Sequence, residues 1–177
     1  LPPEMFSVLT GDPREIADEL ITNEHVDLIT FTGGVAIGKY IASRAGYRRM
    51  VLELGGNDPL IVMEDADIDE ASSLAVAGSY KNSGQRCTAV KRMLVHQAVA
   101  DQFVEQVVAK TRAWTYGDPS DKTLDMGTVI DEAAAISFEQ RVNEAVAQGA
   151  KLLVGNQRRG ALYAPTVVDQ VHPDMLL

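Results

Sequence analysis

The chain has 177 residues, of which 46% are hydrophobic and 23% charged, so its composition is that of a globular protein with enough apolar material for a core. Its formal net charge of −9 speaks against binding to nucleic acid or to an anionic membrane surface, because both call for a basic face. No apolar run approaches the roughly 20 residues that span a bilayer, no secretory leader is recognisable, and a single cysteine favours a reducing compartment. We therefore expect a cytoplasmic protein with neither a nucleic acid nor a membrane partner.

Helix and strand signals alternate along the chain. Pro13 suits the first turn of a helix, Asp12 can cap it, and Gly46 and Gly149 follow predicted helix ends. The predicted helices are 12–23, 35–44, 67–80, 98–114 and 131–148, and the predicted strands are 26–31, 50–54, 60–63, 91–95, 151–154 and 166–171. Strands that alternate with helices of this length predict an α/β fold with parallel crossovers.

The best candidate for a domain boundary is the stretch Gly55-Gly56-Asn57-Asp58-Pro59, which is rich in turn-forming residues. It divides the chain into residues 1–54 and residues 55–177. We find neither an internal repeat nor a low-complexity linker elsewhere in the sequence.

A glycine-rich turn follows the first predicted strand and opens a helix, with Thr32 before it and Gly33, Gly34 and Gly38 within it. Backbone N–H groups and the helix dipole bind phosphate in this setting. The spacing of Gly33, Gly38 and Lys39 is close to that of a P-loop, but Tyr40 occupies the position of the hydroxyl residue that ligates Mg²⁺. An ATPase is therefore disfavoured, and a plain strand-to-helix turn is the other alternative.

Cys87 lies in a loop of small and polar residues, Asn82 to Thr88, and Glu53 leads into the Gly55-Gly56 turn. A thiol and a carboxylate are what a covalent thioester mechanism needs, since the thiol forms the thioester and the carboxylate activates the water that breaks it. The alternative is that Cys87 is a small buried hydrophobe and that Glu53 faces solvent.

The order and spacing of five segments are informative when they are taken together: Phe31–Gly38, Glu53–Gly56, Gly84–Cys87, Gly117–Pro119 and Met126–Ile130. In order and in spacing they resemble the aldehyde dehydrogenase superfamily, and the likeness covers nearly the whole chain. The resemblance implies a truncated three-layer, parallel-sheet catalytic domain over 55–177, preceded over 1–54 by the end of a Rossmann-like NAD-binding domain. Members of this superfamily are more than twice as long, so we expect a piece of a larger enzyme that is inactive by itself. It would then serve as a structural module or an association surface.

The resemblance also implies roles for individual residues. Cys87 would be the nucleophile, Glu53 the general base, and NAD or NADP the hydride acceptor, with no metal required. The oxyanion would be held by the Cys87 N–H and by a side-chain amide from outside this chain. The cofactor-binding residues would be Thr32, Gly33, Gly34, Gly38, Leu54 and Gly55, with Gly34 at a position that is usually Ser in the family.

The residues around the thiol bear on the substrate. Arg86 and Lys91, with Thr88 between them, most resemble the phosphonoacetaldehyde dehydrogenases, in which the two cations bind the phosphonate. The glyceraldehyde-3-phosphate, lactaldehyde and succinate-semialdehyde branches are alternatives. A structural role, in which Arg86 and Lys91 pair with carboxylates, also remains open.

Exposed strand edges in a truncated sheet predict a homo-oligomer.

Overall fold

The computed structural model describes residues 2–177. The chain divides into two compact units, Leu1–Gly55 and Gly56–Leu177. The division falls inside the glycine-rich stretch that the sequence marks as a boundary, one residue after the expected end of the first segment.

The first unit is a small α/β layer. Its elements are a 3₁₀ turn (Pro3–Met5), helix α1 (Pro13–Thr22), strand β1 (Leu28–Gly33), helix α2 (Val35–Arg44) and strand β2 (Arg49–Leu54). Strands β1 and β2 pair in parallel and α2 is the crossover between them. Ile21, Ile41 and Ala45 are buried and pack with Phe31 and Leu52, so the helices cover one face of the strand pair.

Local signals explain where these helices begin and end. The Asp12 carboxylate accepts a hydrogen bond from the Arg14 N–H at 2.9 Å, which caps α1 as predicted. Gly46, two residues after the end of α2 at Arg44, has φ of +62°, a left-handed conformation that glycine adopts without strain.

The second unit begins with two strand–helix pairs. Its elements are β3 (Asp58–Val62), α3 (Ile68–Tyr80), a 3₁₀ turn (Lys81–Gly84), β4 (Val90–Val95), a 3₁₀ turn (Gln97–Val99), α4 (Ala100–Ala113), α5 (Glu132–Ala147), β5 (Lys151–Val154), β6 (Arg158–Arg159), β7 (Leu162–Tyr163) and β8 (Val167–Asp169). Strands β3 and β4 pair in parallel with α3 as the crossover.

The core of this unit lies between α3, α4 and the β3–β4 pair. Its buried members are Val62, Ile68, Ala75, Val76, Phe103 and Val107. Trp114 packs against them, with its ring centroid 6.1 Å from that of Tyr80, so Trp114 is a packing residue as the sequence suggests. The Asp67 carboxylate accepts from the Glu70 N–H at 3.0 Å and caps α3.

The parallel-sheet expectation is wrong for the last part of the chain. Strands β5 and β8 pair antiparallel, and between them β6 and β7 form a short antiparallel hairpin that the sequence did not predict. The segment from Gly155 to Thr166 contains no helix, and parallel strands need a crossover that is usually helical. Without one, the chain returns alongside β5 in the opposite direction.

Across residues 2–177, none of the helices combines the length and the apolar character needed to cross a lipid bilayer.

Candidate active site

The turn between β1 and α2 leaves the first N–H groups of the helix open. Gly34 is the N-cap residue of α2, with φ of −71°, and no side chain among residues 2–177 caps this end. A Cβ added at Gly34 would meet no atom within 4 Å. Helix N–H groups and the positive end of the helix dipole therefore face free space, which fits the phosphate of a dinucleotide.

At Gly38, close packing leaves no room for a side chain. Gly38 is buried, and a Cβ at this position would lie 2.6 Å from Cδ2 of Leu54. The side chain of Leu54 thus packs β2 against α2 at their closest approach. Gly38 and Leu54, both predicted to bind the cofactor, thus pack against one another beside the glycine-rich turn.

Glu53 and Thr32 are neighbours across the parallel pair, in register with one another, and Gly33 is in register with Leu54. Both Glu53 and Thr32 are exposed, and so is Gly55 immediately after β2. Ligands of open α/β sheets bind beyond the carboxyl ends of the strands, where these side chains lie. The first unit therefore brings together the predicted base and most of the predicted cofactor residues.

In the second unit, the backbone before the thiol has an unusual conformation. Asn82 and Ser83 both have φ of +55° and Gly84 has φ of +70°, so three successive residues are left-handed. Non-glycine residues rarely adopt this region, and they persist there when the surroundings hold them. A Cβ at Gly84 would also approach the Ser79 carbonyl oxygen to 2.9 Å.

Two side chains hold this left-handed turn against the segment Met126–Ile130. The Ser83 hydroxyl is 3.1 Å from the carbonyl oxygens of both Gly127 and Thr128, and the Ile130 N–H donates to Oε1 of Gln85 at 2.8 Å. Sequence reasoning assigned no role to Ser83 or Gln85. The available signal was the position of Gln85 within the motif Gly84–Cys87 and of Ser83 directly before it; the structure joins this motif to Met126–Ile130.

Cys87 follows on an exposed β-turn that runs from Arg86 to Ala89 and is closed by the Ala89 N–H and the Arg86 carbonyl oxygen at 3.2 Å. The alternative in which Cys87 is a buried hydrophobe is wrong. Within residues 2–177, the N–H groups of Cys87 and Thr88 donate to no protein acceptor. The thiol is thus presented to solvent beside two free N–H donors.

The cationic side chains near the thiol bind carbonyl groups instead of carboxylates. Nη2 of Arg86 donates to the Gly78 carbonyl oxygen at 2.9 Å, in the last turn of α3, and its buried Nε has no partner in the part of the chain that the structure describes. Lys91 Nζ is 3.3 Å from the carbonyl oxygens of Arg86, Cys87 and Ala89.

Arg92 lies on the other side of β4, as the sequence suggests, and donates from Nε and Nη2 to the Asn57 carbonyl oxygen at 2.9 and 2.6 Å. It ties β4 to the segment before β3, so it has a structural contact. Thr88 is exposed next to Cys87.

A family model described as the aldehyde dehydrogenase family matches residues 1–177. The chain belongs to this family. The left-handed turn, the exposed Cys87 and the Gly33-Gly34 turn all fall within the matched region.

Curated relatives of this aldehyde dehydrogenase chain cover its whole length. It is 43% identical over 177 residues to the NADP-dependent glyceraldehyde-3-phosphate dehydrogenase of Streptococcus equinus, covering 100% of this chain and 37% of the relative. It is 42% identical over 175 residues to the 3-sulfolactaldehyde dehydrogenase of Priestia megaterium, covering 99% of this chain and 37% of the relative. The chain thus spans little more than a third of the length of these relatives.

Comparison with solved structures supports the family assignment at the level of the fold. The NADP-dependent glyceraldehyde-3-phosphate dehydrogenase of Bacillus halodurans, crystallised with NADP, aligns with a TM-score of 0.92 at 43% identity. The alignment covers 96% of this chain and 35% of that protein. The α/β fold of both units is therefore that of the corresponding region of an aldehyde dehydrogenase.

Proposed function

We propose that the protein to which this chain contributes oxidises an aldehyde to a carboxylic acid through a covalent intermediate on Cys87. The observation that carries the proposal is the exposed thiol on a turn that also presents two unused N–H donors. Family membership supports the same reaction class. The sole thiol favours a reducing compartment, and we place the protein in the cytoplasm, where a homo-oligomer is proposed.

The first step is addition. The sulfur of Cys87 forms a bond to the carbonyl carbon, and the π-electron pair of the carbonyl group moves onto its oxygen. Negative charge therefore develops beside the turn, within reach of the Cys87 and Thr88 N–H groups. Preorganised N–H donors stabilise such an oxyanion more than water does, since they need not reorient during the reaction.

The first unit would hold NAD or NADP. The open N-terminus of α2 at Gly33 and Gly34 would hold the pyrophosphate, Gly38 and Leu54 would support this turn, and Thr32 and Gly55 would flank it. Bound, the nicotinamide would supply the hydride acceptor for the oxidation.

Glu53 would complete the cycle as general base. It would take a proton from the water that attacks the thioester carbon, the bond to sulfur would break, and Cys87 would return to its resting state. The exposed carboxylate at the end of β2 has the access to water that this role requires.

The substrate is proposed to be an anionic aldehyde, with phosphonoacetaldehyde first among candidates and phosphonoacetate as its product. Arg86 precedes Cys87 directly, and the Lys91 ammonium group lies 3.3 Å from the Cys87 carbonyl oxygen. Neither cation makes an ion pair within residues 2–177. The names of two relatives point to the same class, since 3-sulfolactaldehyde and glyceraldehyde-3-phosphate both carry an anionic group. Thr88, exposed on the same turn, would contribute a hydroxyl.

The test is NAD(P)H formation by a polypeptide of the relatives' length that contains this chain. Phosphonoacetaldehyde, glyceraldehyde-3-phosphate, 3-sulfolactaldehyde, succinate semialdehyde and uncharged lactaldehyde are compared. Arg86→Gln keeps a donor for the Gly78 carbonyl but removes the charge, and we expect about a tenfold to hundredfold loss in kcat/KM for the anionic substrates only.

Arg159→Gln is the matched control, since Arg159 is exposed on β6 and lies outside the turn. Equal losses for lactaldehyde and for the anionic substrates would refute anion recognition by Arg86. Full activity of Cys87→Ala would refute the covalent mechanism itself.

A further inference from the structure

The Lys91 ammonium group contacts the backbone of the β-turn that runs from Arg86 to Ala89 and contains Cys87. Its Nζ is 3.3 Å from each of three carbonyl oxygens, those of Arg86, Cys87 and Ala89. An ammonium group has three N–H donors and no acceptor, so the three carbonyls match its donors in number. In this arrangement all three donors of Lys91 are used within the turn, so Lys91 acts on a substrate anion only through its charge.

These contacts fix the direction of two peptide planes. The Arg86 carbonyl and the Cys87 N–H belong to one peptide unit, and the Cys87 carbonyl and the Thr88 N–H belong to the next. In a planar trans peptide the carbonyl and the N–H point in opposite directions. Because both carbonyls point to Lys91, both N–H groups point away from it, and neither meets an acceptor within residues 2–177.

Gly56 lies beside the carbonyl side of the turn. A Cβ added at Gly56 would lie 3.2 Å from the Cys87 carbonyl oxygen and 2.7 Å from Oδ1 of Asp58. Glycine at this position therefore leaves room for the Cys87 carbonyl in the orientation in which it contacts Lys91.

From this geometry we infer that Lys91 is a positioning residue that orients the Cys87 and Thr88 N–H groups as a paired oxyanion site. The inference rests on the proposed function, and it adds Thr88 as the second backbone donor. A cation on the carbonyl oxygens also polarises both peptide units, which makes their N–H groups stronger donors. The effect does not depend on the charge of the substrate.

An uncharged aldehyde separates this role from anion binding. In the 177-residue chain Cys87 is the only thiol, so ¹³C-labelled acetaldehyde gives one hemithioacetal, whose ¹³C signal NMR can quantify. The Sγ–C bond forms, and the thiol proton ends on the former carbonyl oxygen. The oxyanion forms during addition and is then protonated, so we expect Lys91→Met to slow the formation of this hemithioacetal about tenfold or more, and Lys91→Arg to restore the rate to within about threefold.

Alkylation by iodoacetamide is the matched reaction, because it displaces iodide and places no negative charge on a carbonyl oxygen. Its limiting rate at high pH is expected to stay within about threefold of the wild-type rate in both variants. Lys81→Met removes a cation from the preceding 3₁₀ turn and should change neither reaction. If Lys91→Met does not fold by circular dichroism, Lys91→Gln gives the same comparison.

The possible results are distinguishable. An unchanged rate of adduct formation in Lys91→Met overturns the inference and leaves the nucleophile role of Cys87 intact. Equal losses in adduct formation and alkylation also overturn it, since they indicate damage to the turn. If the wild-type chain is alkylated by iodoacetamide but forms no hemithioacetal with acetaldehyde, the proposed nucleophile role is overturned, and the inference with it.

Discussion

Thr32 and Glu53 are cross-strand partners at the carboxyl ends of β1 and β2. Partners in a parallel pair project from the same face, so the hydroxyl and the carboxylate share one exposed surface. Gly33 and Gly34 follow Thr32 directly, and the open N-terminus of α2 begins there. The proposed base and the proposed phosphate turn are thus positioned by the same two strands.

The first prediction concerns Glu53. In a polypeptide of the relatives' length, Glu53→Gln should lower steady-state acid formation about 10²- to 10⁴-fold, the usual contribution of a general base. A rapid first turnover should survive, because Cys87 still adds to the aldehyde. Stopped-flow measurement of the NAD(P)H burst gives both values.

Glu24→Gln is the control for this experiment, since Glu24 is exposed in the same unit and lies before β1. It should leave both phases unchanged. Loss of the burst in Glu53→Gln would show that Glu53 acts before hydrolysis and would contradict its assignment to the second half of the reaction.

The second prediction compares two glycines of one turn. Gly38→Ala should reduce the free energy of unfolding of the first unit by about 1–3 kcal/mol, because its Cβ would lie 2.6 Å from Cδ2 of Leu54. Gly34→Ser should be neutral or stabilising by a few tenths of a kcal/mol, since its Cβ meets nothing within 4 Å and serine is a good N-cap.

Urea unfolding of the 177-residue chain measures both changes, and dinucleotide titration of the same variants follows binding. We expect Gly34→Ser to bind the dinucleotide more tightly through its added hydroxyl. Equal stability of Gly38→Ala and wild type would mean that α2 and β2 can separate without loss.

The third prediction concerns the cap of α3. Asp67→Ala should cost about 1 kcal/mol of stability, because the Glu70 N–H loses its acceptor. Asp65→Ala, at an exposed turn position two residues earlier, should change stability by less than about 0.5 kcal/mol. Similar urea midpoints for the two variants would contradict the cap.

The fourth prediction is a pH dependence. Burial raises the pKa of Tyr80 to about 12, above the value of about 10 for an unfolded tyrosine. The stabilising contribution is fully present below about pH 10 and is lost as the pH rises toward 12, since the unfolded state releases its proton first.

Tyr80→Phe should therefore flatten the decline in stability over this interval relative to wild type. At neutral pH it should cost about 1 kcal/mol, because the hydroxyl donates to the Thr166 carbonyl oxygen at 3.1 Å. Urea unfolding across the pH range tests this, with Tyr47→Phe as the exposed control. Parallel curves for Tyr80→Phe and wild type above pH 10 would refute it.

Sequence reasoning located the helices well because their ends carry local signals. Asp12, Asp67 and Asp131 each cap a helix through a side-chain hydrogen bond, and Gly46 and Gly149 have the positive φ expected after a helix end. These interactions join residues close in sequence. The hairpin of β6 and β7 was missed because its strands have two residues each, too few for a periodic pattern.

Non-local contacts account for what the sequence could not predict at the site. The left-handed Ser83 is held by bonds to Gly127 and Thr128, more than 40 positions later, and no local pattern indicates them. The partners of Arg86 and Lys91 are backbone carbonyls, which any residue supplies, so residue types alone left open whether these cations pair with carboxylates. The sequence left open whether Cys87 is a small buried hydrophobe, and the structure shows that it is exposed.

Each compact unit is one uninterrupted stretch of the chain, and each parallel strand pair encloses a single crossover helix. Contacts between residues close in sequence form quickly, because little loop-closure entropy is lost. A growing chain folds its N-terminal parts first. The Gly33-Gly34 turn of the first unit therefore leaves the ribosome before Cys87 does, so the proposed phosphate site can form before the thiol emerges.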